Sequence, residues 1–314
     1  MNYVPLQIAT ILPEKELTFD LYIHFKDQYL QYASSGTSIS GEKLDKLQVQ
    51  QIAKFYIPAS QEPNYEAFLD AIINEAVGSD ETPLENKLDL IEGAAATGIE
   101  GMEQESSSVA SYKITQKAAK GLREIIGNNP NALKKIYGKV SNELTDLIRH
   151  NYNVCALSTK LGEQLGLTDE ELDDLGTAAL LHDLGITRLQ GDDKLLFMKP
   201  KKNFTPADYR IYKFHVEDSV KLLADKPYVN ENVIELVRNH EENMGGTGPQ
   251  KKKKLTKSEE ILSLVNNYDK RVISQKVHAK QAAKELQIEE VGNYQLKTIQ
   301  ALIKVLQAEG LFET

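Results

Sequence analysis

Six histidines occur in the 314-residue chain, and four of them, His150, His182, His215 and His240, fall in or at the end of apolar stretches with helical periodicity. One such histidine is ordinarily a satisfied core or surface residue. Four on successive helices fit a metal site built from the facing helices of a bundle. His182 is followed by Asp183 at the end of TAALLHDLG. An adjacent imidazole and carboxylate in so apolar a run cost desolvation energy unless they are paired or bind a metal. A carboxylate has two oxygens, so Asp183 is the natural ligand to share between two cations, and His182 with Asp183 head the catalytic candidates. Asp146 lies four residues before His150 and shares its helix face. It reads as a further ligand, as an acceptor that orients the imidazole, or as an ordinary solvated pair. Late in the chain LSLVNNYDKRV offers Asn266 and Asp269 about one helical turn apart. Either could close the site, Asp269 being the harder, charged donor. The set is nitrogen and oxygen without thiolate, which suits iron, manganese or zinc at a hydrolytic site. After His240 comes EENMGGTGPQ. Its backbone N–H groups at Gly245, Gly246, Thr247 and Gly248 could face a phosphate, or the segment is a flexible turn after a helix end.

The elements that must position these residues are mostly helical. From 109 to 314 one segment after another shows a 3.6-residue apolar period, among them NALKKIYGKVSNELTDLIRHNYNVCALSTKLGEQLG, ADYRIYKFHVEDSVKLLADK and NENVIELVRNHEE. Capping signals stand at Thr168-Asp-Glu-Glu, Thr205-Pro-Ala-Asp and Thr256-Lys-Ser-Glu. Residues 1–76 differ: LQIATIL, LTFDLYIHF and QYLQYAS read as strands, GEKLDKL and NYEAFLDAIINEAVG as helices, which makes a small α+β module. Residues 77–108, rich in Gly, Ala, Ser and acidic residues, read as a linker with a short helix at 83–92. The expected fold class is therefore mostly α, a helical metal-binding bundle preceded by a small α+β domain.

A net charge of −9 argues against a general nucleic-acid binder, so no nucleic-acid polymer is expected as a partner. No apolar run approaches the ~18 residues that span a membrane, and the first residues lack a leader pattern. The single cysteine, Cys155, fits a reducing compartment, and a cytoplasmic location is expected. Two basic clusters, KPKK at 199–202 and KKKK at 251–254, flank the His215 and His240 segments; each reads as solvated lysines or as a steering field for an anionic nucleotide.

The order of these residues resembles the HD superfamily of metal-dependent phosphohydrolases and, within it, the HD-GYP family, which hydrolyses cyclic di-GMP in bacterial signalling. The resemblance covers roughly 110–300 and is carried by RHNYNV, LLHDLG, YKFHVEDSVKLL, NHE and VNNYDK. It implies His150, His182, Asp183, His215 and His240 as metal ligands, with Asn266 and Asp269 at the positions of two aspartates. Asp146 matches the extra acid of a trinuclear subset. It further implies two divalent metal ions, iron first and manganese or zinc as alternatives, that activate water for in-line attack on phosphorus. The implied partner is a cyclic dinucleotide, with a protein partner on the N-terminal module, which resembles the small domain preceding such phosphodiesterases. Departures fall in the substrate shell. Asn239 replaces one histidine, and Ile186 replaces a lysine expected to meet a phosphate, for which Arg188 and Lys194 are candidate substitutes. MGGTGP lacks the aspartate and tyrosine of the signature loop, and Lys276 adjoins the position of a missing arginine. Two readings follow: a phosphodiesterase with an altered substrate loop, or a catalytically weak metal-containing receptor for cyclic dinucleotides.

Overall fold

The computed structural model describes residues 2–104, 107–138 and 146–313. These form two compact units, Met1–Ile125 and Ile126–Thr314. In the first, strands β1 (Tyr3–Gln7), β2 (Leu21–Phe25), β3 (Gln28–Ala33) and β4 (Lys54–Pro58) make one antiparallel sheet in the order β1-β4-β2-β3. Helices α1 (Gly41–Val49), α2 (Glu62–Gly78), α3 (Leu84–Glu103) and α4 (Val109–Asn128) complete the unit, α4 running three residues past its boundary. Every strand expected from the sequence is present, although LQIATIL turns into a 3-10 helix after Gln7.

Residues 84–103 correct the expected linker: α3 is 20 residues long and largely buried, not a short helix at 83–92. Its glycines weaken helix propensity in isolation, yet with the alanines they let the helix pack closely. A Cβ on Gly98 would lie 2.5 Å from Thr115 Oγ1 and 3.0 Å from the Thr115 nitrogen on α4. Small residues that suggest a flexible segment are here the means of contact.

The second unit is helical: α5 (Ala132–Gly138), α6 (Asp146–Gln164), α7 (Asp169–Leu181), α8 (Pro206–Tyr212), α9 (Phe214–Ala224), α10 (Glu231–Asn239), α11 (Lys257–Gln275), α12 (Ala279–Glu289) and α13 (Leu296–Ala308). The long pattern beginning at Asn131 becomes α5 and α6, and its stretch 139–145 lies outside the described residues. The pattern beginning at Ala207 is divided at Lys213 into α8 and α9. All three expected capping boxes form, at Thr168–Glu171, Thr205–Asp208 and Thr256–Glu259. α6 and α7 pack together, α11 lies against α6, and α10 lies against α7 and α9. Val154, Leu157, Leu175, Ala178, Val237 and Val265 are fully buried between them. Asn151 donates to the Leu180 carbonyl (3.0 Å), and Asn230 and Asn232 donate to Asp174 (2.8 and 3.0 Å). These bonds tie α6 and α10 to α7, whose C-terminal end leads into His182 and Asp183. Cys155 is buried in the core, which pushes its thiol up. No described helix is long and apolar enough to cross a membrane.

Candidate metal centre

His150 comes from α6, His182 caps α7, Asp183 follows it, His215 lies in α9 and His240 caps α10. All five are fully buried. Asp183 and His215 meet because Gly185 lets the 3-10 turn Leu184–Arg188 touch α9. Its N–H donates to Ser219 Oγ (2.8 Å), and a Cβ there would collide with the His215 carbonyl oxygen and lie 2.7 Å from the Ser219 nitrogen.

The rings are held from behind. His182 Nδ1 donates to the Ala179 carbonyl (2.8 Å), His240 Nδ1 to that of Val237 (2.6 Å) and His215 Nδ1 to that of Tyr212. His150 Nδ1 donates to Asp269 Oδ2 (2.7 Å). A carbonyl or carboxylate only accepts here, so Nδ1 of each ring carries a proton and Nε2 is the nitrogen left to present a lone pair to a metal. Those lone pairs converge. His215 and His240 Nε2 are 3.0 Å apart, and His150 and His182 Nε2 are 3.2 Å apart. Asp183 lies between the pairs: Oδ1 is 3.2 and 3.3 Å from His215 and His240, and Oδ2 is 3.7 and 3.6 Å from His150 and His182. Neither Asp183 oxygen has a hydrogen-bond partner of good geometry among the described residues.

Facing lone pairs around an orphaned, buried carboxylate repel unless a proton or a metal cation joins them. Burial drives His182 well below its ordinary value. At His240 burial also disfavours the charged ring, but Asp183 outweighs it and raises the value. Burial would raise the Asp183 carboxyl, yet Lys270, His182, His215 and His240 hold it well below the usual range. The residues thus fit divalent metal: His150, His182 and Asp183 form one possible ligand group, Asp183, His215 and His240 another, all ligand atoms within 4.8 Å of each other in each group. Imidazoles whose far nitrogen is anchored to a carbonyl or carboxylate are the usual form of metal-binding histidine.

The remaining sequence candidates separate. Asn266 Oδ1 faces the centre, 3.0 Å from His150 Nε2, while its Nδ2 donates to Glu241 Oε1 (3.1 Å). Asp269 stands behind His150, its second oxygen accepting from Asn153 Nδ2 (3.2 Å). Asp146 is exposed at the first residue of α6 and is not grouped with the buried ligands. Asn239 is buried but donates to the Glu235 carbonyl (2.8 Å) and to Glu259 Oε1 (2.7 Å), joining α10 to α11.

Beside the centre opens a cleft of about 560 Å³, lined among others by His215, His240, Glu241, Asn266, Thr247 and Gly248. Cations line it too: Lys201, Lys202, Arg210, Lys213, Lys251 and Arg271. Burial would raise Glu241, but Lys201 with His240 and His215 lowers it to about 2. Neither Arg188 nor the exposed Lys194 and Lys276 line this cleft, and Gly245 and Gly246 do not line it either. Two of the four N–H groups expected to face a phosphate are spent inside the loop, Gly246 on the Asn243 carbonyl (3.0 Å) and Thr247 on Asn243 Oδ1 (3.3 Å). Ile186 packs into an apolar cluster with Leu189, Leu196, Phe197 and Tyr212.

Sequence reasoning missed Lys270. It is buried on α11 with its ammonium 3.6 Å from Asp183 Oδ2. Its helical spacing gave a signal, since it lies four residues after Asn266 and so shares that residue's face.

Residues 134–294 match the HD domain family. The chain is 34% identical over 121 residues to the cyclic di-GMP phosphodiesterase PA4108 of Pseudomonas aeruginosa, an alignment covering 38% of this chain and 28% of that protein. It is 27% identical to Bd1817, a HDG"Y"P protein from Bdellovibrio bacteriovorus, whose structure superimposes with a TM-score of 0.73 over 98% of this chain and 100% of that one.

Proposed function

Because the chain belongs to the HD domain family and, within it, to the HD-GYP proteins, we propose that it is a metal-dependent phosphodiesterase that hydrolyses cyclic di-GMP. The observation that carries this reading is the convergence of four Nε2 lone pairs on a buried Asp183 that has no hydrogen bond of its own. Two divalent ions, iron first and manganese or zinc as alternatives, would be held by His150, His182 and Asp183 Oδ2 on one side, and by His215, His240 and Asp183 Oδ1 on the other. Asn266, whose carbonyl faces the centre, completes the first set in preference to Asp269. Ions so held supply Lewis acidity toward a phosphoryl oxygen and acidify water. The protein's own part is to fix the ligands. The backbone carbonyls lock three rings and Asp269 locks the fourth, so no reorganisation accompanies binding. The cationic cleft wall attracts the diester phosphates, and the apolar cluster around Ile186 borders the centre from within the fold.

The test is metal content together with turnover of cyclic di-GMP by the full chain reconstituted with iron, manganese or zinc. Bound metal and release of a linear dinucleotide are expected, both lost in His182→Ala and Asp183→Ala. A metal-loaded chain that hydrolyses no cyclic dinucleotide would sink the enzymatic reading.

One alternative has its own support: a cyclic-dinucleotide receptor with little catalysis. Ile186 is apolar where the family places a lysine, and the loop at 244–249 spends N–H groups on itself. Tight nucleotide binding without turnover in metal-replete protein selects it.

A further inference from the structure

The cleft continues into a smaller lobe that shares Lys201, Lys202, Asn267, Arg271 and Glu289 with it and adds Lys199 and Lys270. Four of the five cations around this lobe are already engaged. Lys199 pairs with Asp208 (2.6 Å), Lys201 with Glu241, Lys202 donates to Gln275 (2.9 Å), and Arg271 is held by Glu289 and Glu290. Lys270 is different. It is 6% exposed, and its Nζ has no hydrogen-bond partner among the described residues. It lies over the faces of Phe197 (4.3 Å) and Tyr212 (4.6 Å), which fix the ammonium without using its N–H donors. The carboxylate it approaches is Asp183, at 3.6 Å from Oδ2, too long for a direct hydrogen bond.

A buried ammonium with free donors is costly unless something accepts them. A purely structural lysine would close on Asp183; this one stands off from it, at the wall of a cavity that opens onto the centre. We propose that Lys270 is a substrate-binding residue: its ammonium donates to a non-bridging phosphoryl oxygen of the phosphoester held beside Asp183. The cyclic dinucleotide as the phosphoester rests on the phosphodiesterase reading above; the phosphate contact itself does not. A compact ammonium with three donors suits this task as a point charge.

The experiment is calorimetric titration of the metal-loaded full chain, as wild type, Lys270→Met and Lys270→Arg, with cyclic di-GMP and separately with inorganic phosphate. The metal content of each is measured. Loss of one charge-assisted hydrogen bond predicts about tenfold to a hundredfold weaker binding of both ligands by Lys270→Met. Metal content should be unchanged, and Lys270→Arg should retain part of the affinity. Equal phosphate affinity in wild type and Lys270→Met overturns the proposal. Should Lys270→Met lose its metal, Lys270→Gln, which keeps part of the stem and a donor, decides. Weak phosphate binding with metal retained supports the contact, and metal loss there too makes Lys270 part of the core and overturns it. A wild type that binds phosphate through Lys270 but ignores cyclic di-GMP keeps this contact and sinks the cyclic-dinucleotide reading. A wild type that binds neither sinks both.

Discussion

At His150 the ring is aimed by Asp269, whose Oδ2 lies 2.7 Å from Nδ1 and whose other oxygen is held by Asn153. The carboxylate fixes the tautomer and makes Nε2 a better donor. Asp269→Asn keeps the shape but removes the negative charge, and its amide can turn an N–H toward Nδ1. Metal affinity should then fall about tenfold to a hundredfold, read by competition with a chelator, while the thermal melting of the metal-free chain changes little. An unchanged affinity would make Asp269 a direct ligand replaceable by an amide, or a bystander. The spacing alone left this pair open. Asn266 and Asp269 sit about a turn apart, and the charged group is the harder donor in isolation. In the structure Asp269 lies against His150 Nδ1 and Asn266 Oδ1 against its Nε2, a difference that spacing does not contain.

The helices and turns explain how much was legible beforehand. The three capping boxes, the helical bundle and the five buried candidate ligands follow from local rules, since capping, periodicity and apolar context are all written within a few residues. What could not be read was contact between distant segments. The glycines of α3 suggest a linker until α4 is seen against Gly98. Within the 245–248 loop the contact is local instead, two of its N–H groups being accepted by Asn243. Gly185 is the sharpest case. It reads as a helix stop, yet its work is to let the turn bearing Asp183 touch α9 at His215 and Ser219. Gly185→Ala places a methyl against backbone, which cannot rotate away, so overpacking of about 1–3 kcal/mol is expected. Metal should be lost as well, because Asp183 and His215 move apart. Thr256→Ala is the control on the same unit: it removes the cap of α11 for about 1 kcal/mol and should leave metal content intact. Melting curves and metal analysis of the two variants separate damage to the centre from damage to stability. Equal metal loss in both would mean that the centre merely follows global stability.

Across the whole molecule the charge is negative, −9, while the wall of the cleft carries Lys201, Lys202, Arg210, Lys213, Lys251 and Arg271. A net negative charge disfavours the approach of an anion in general, while a cleft lined by cations favours it locally, and walls of low dielectric concentrate that field. The inner cations Lys201 and Arg271 are already paired with glutamates, which leaves the exposed rim cations, Lys213 and Lys251 with Lys202 and Arg210, to act at long range. Rim charges alter encounter more than residence. The double variant Lys213→Glu, Lys251→Glu should therefore bind cyclic di-GMP about tenfold more slowly at low salt, with a dissociation rate close to that of the wild type. Raising salt until the Debye length falls to about 3 Å, near 1 M, should bring the two association rates together. Stopped-flow measurements across that range decide the matter. Association rates that already coincide at low salt would mean that the cations of the cleft hold the nucleotide after it arrives and do nothing to bring it in.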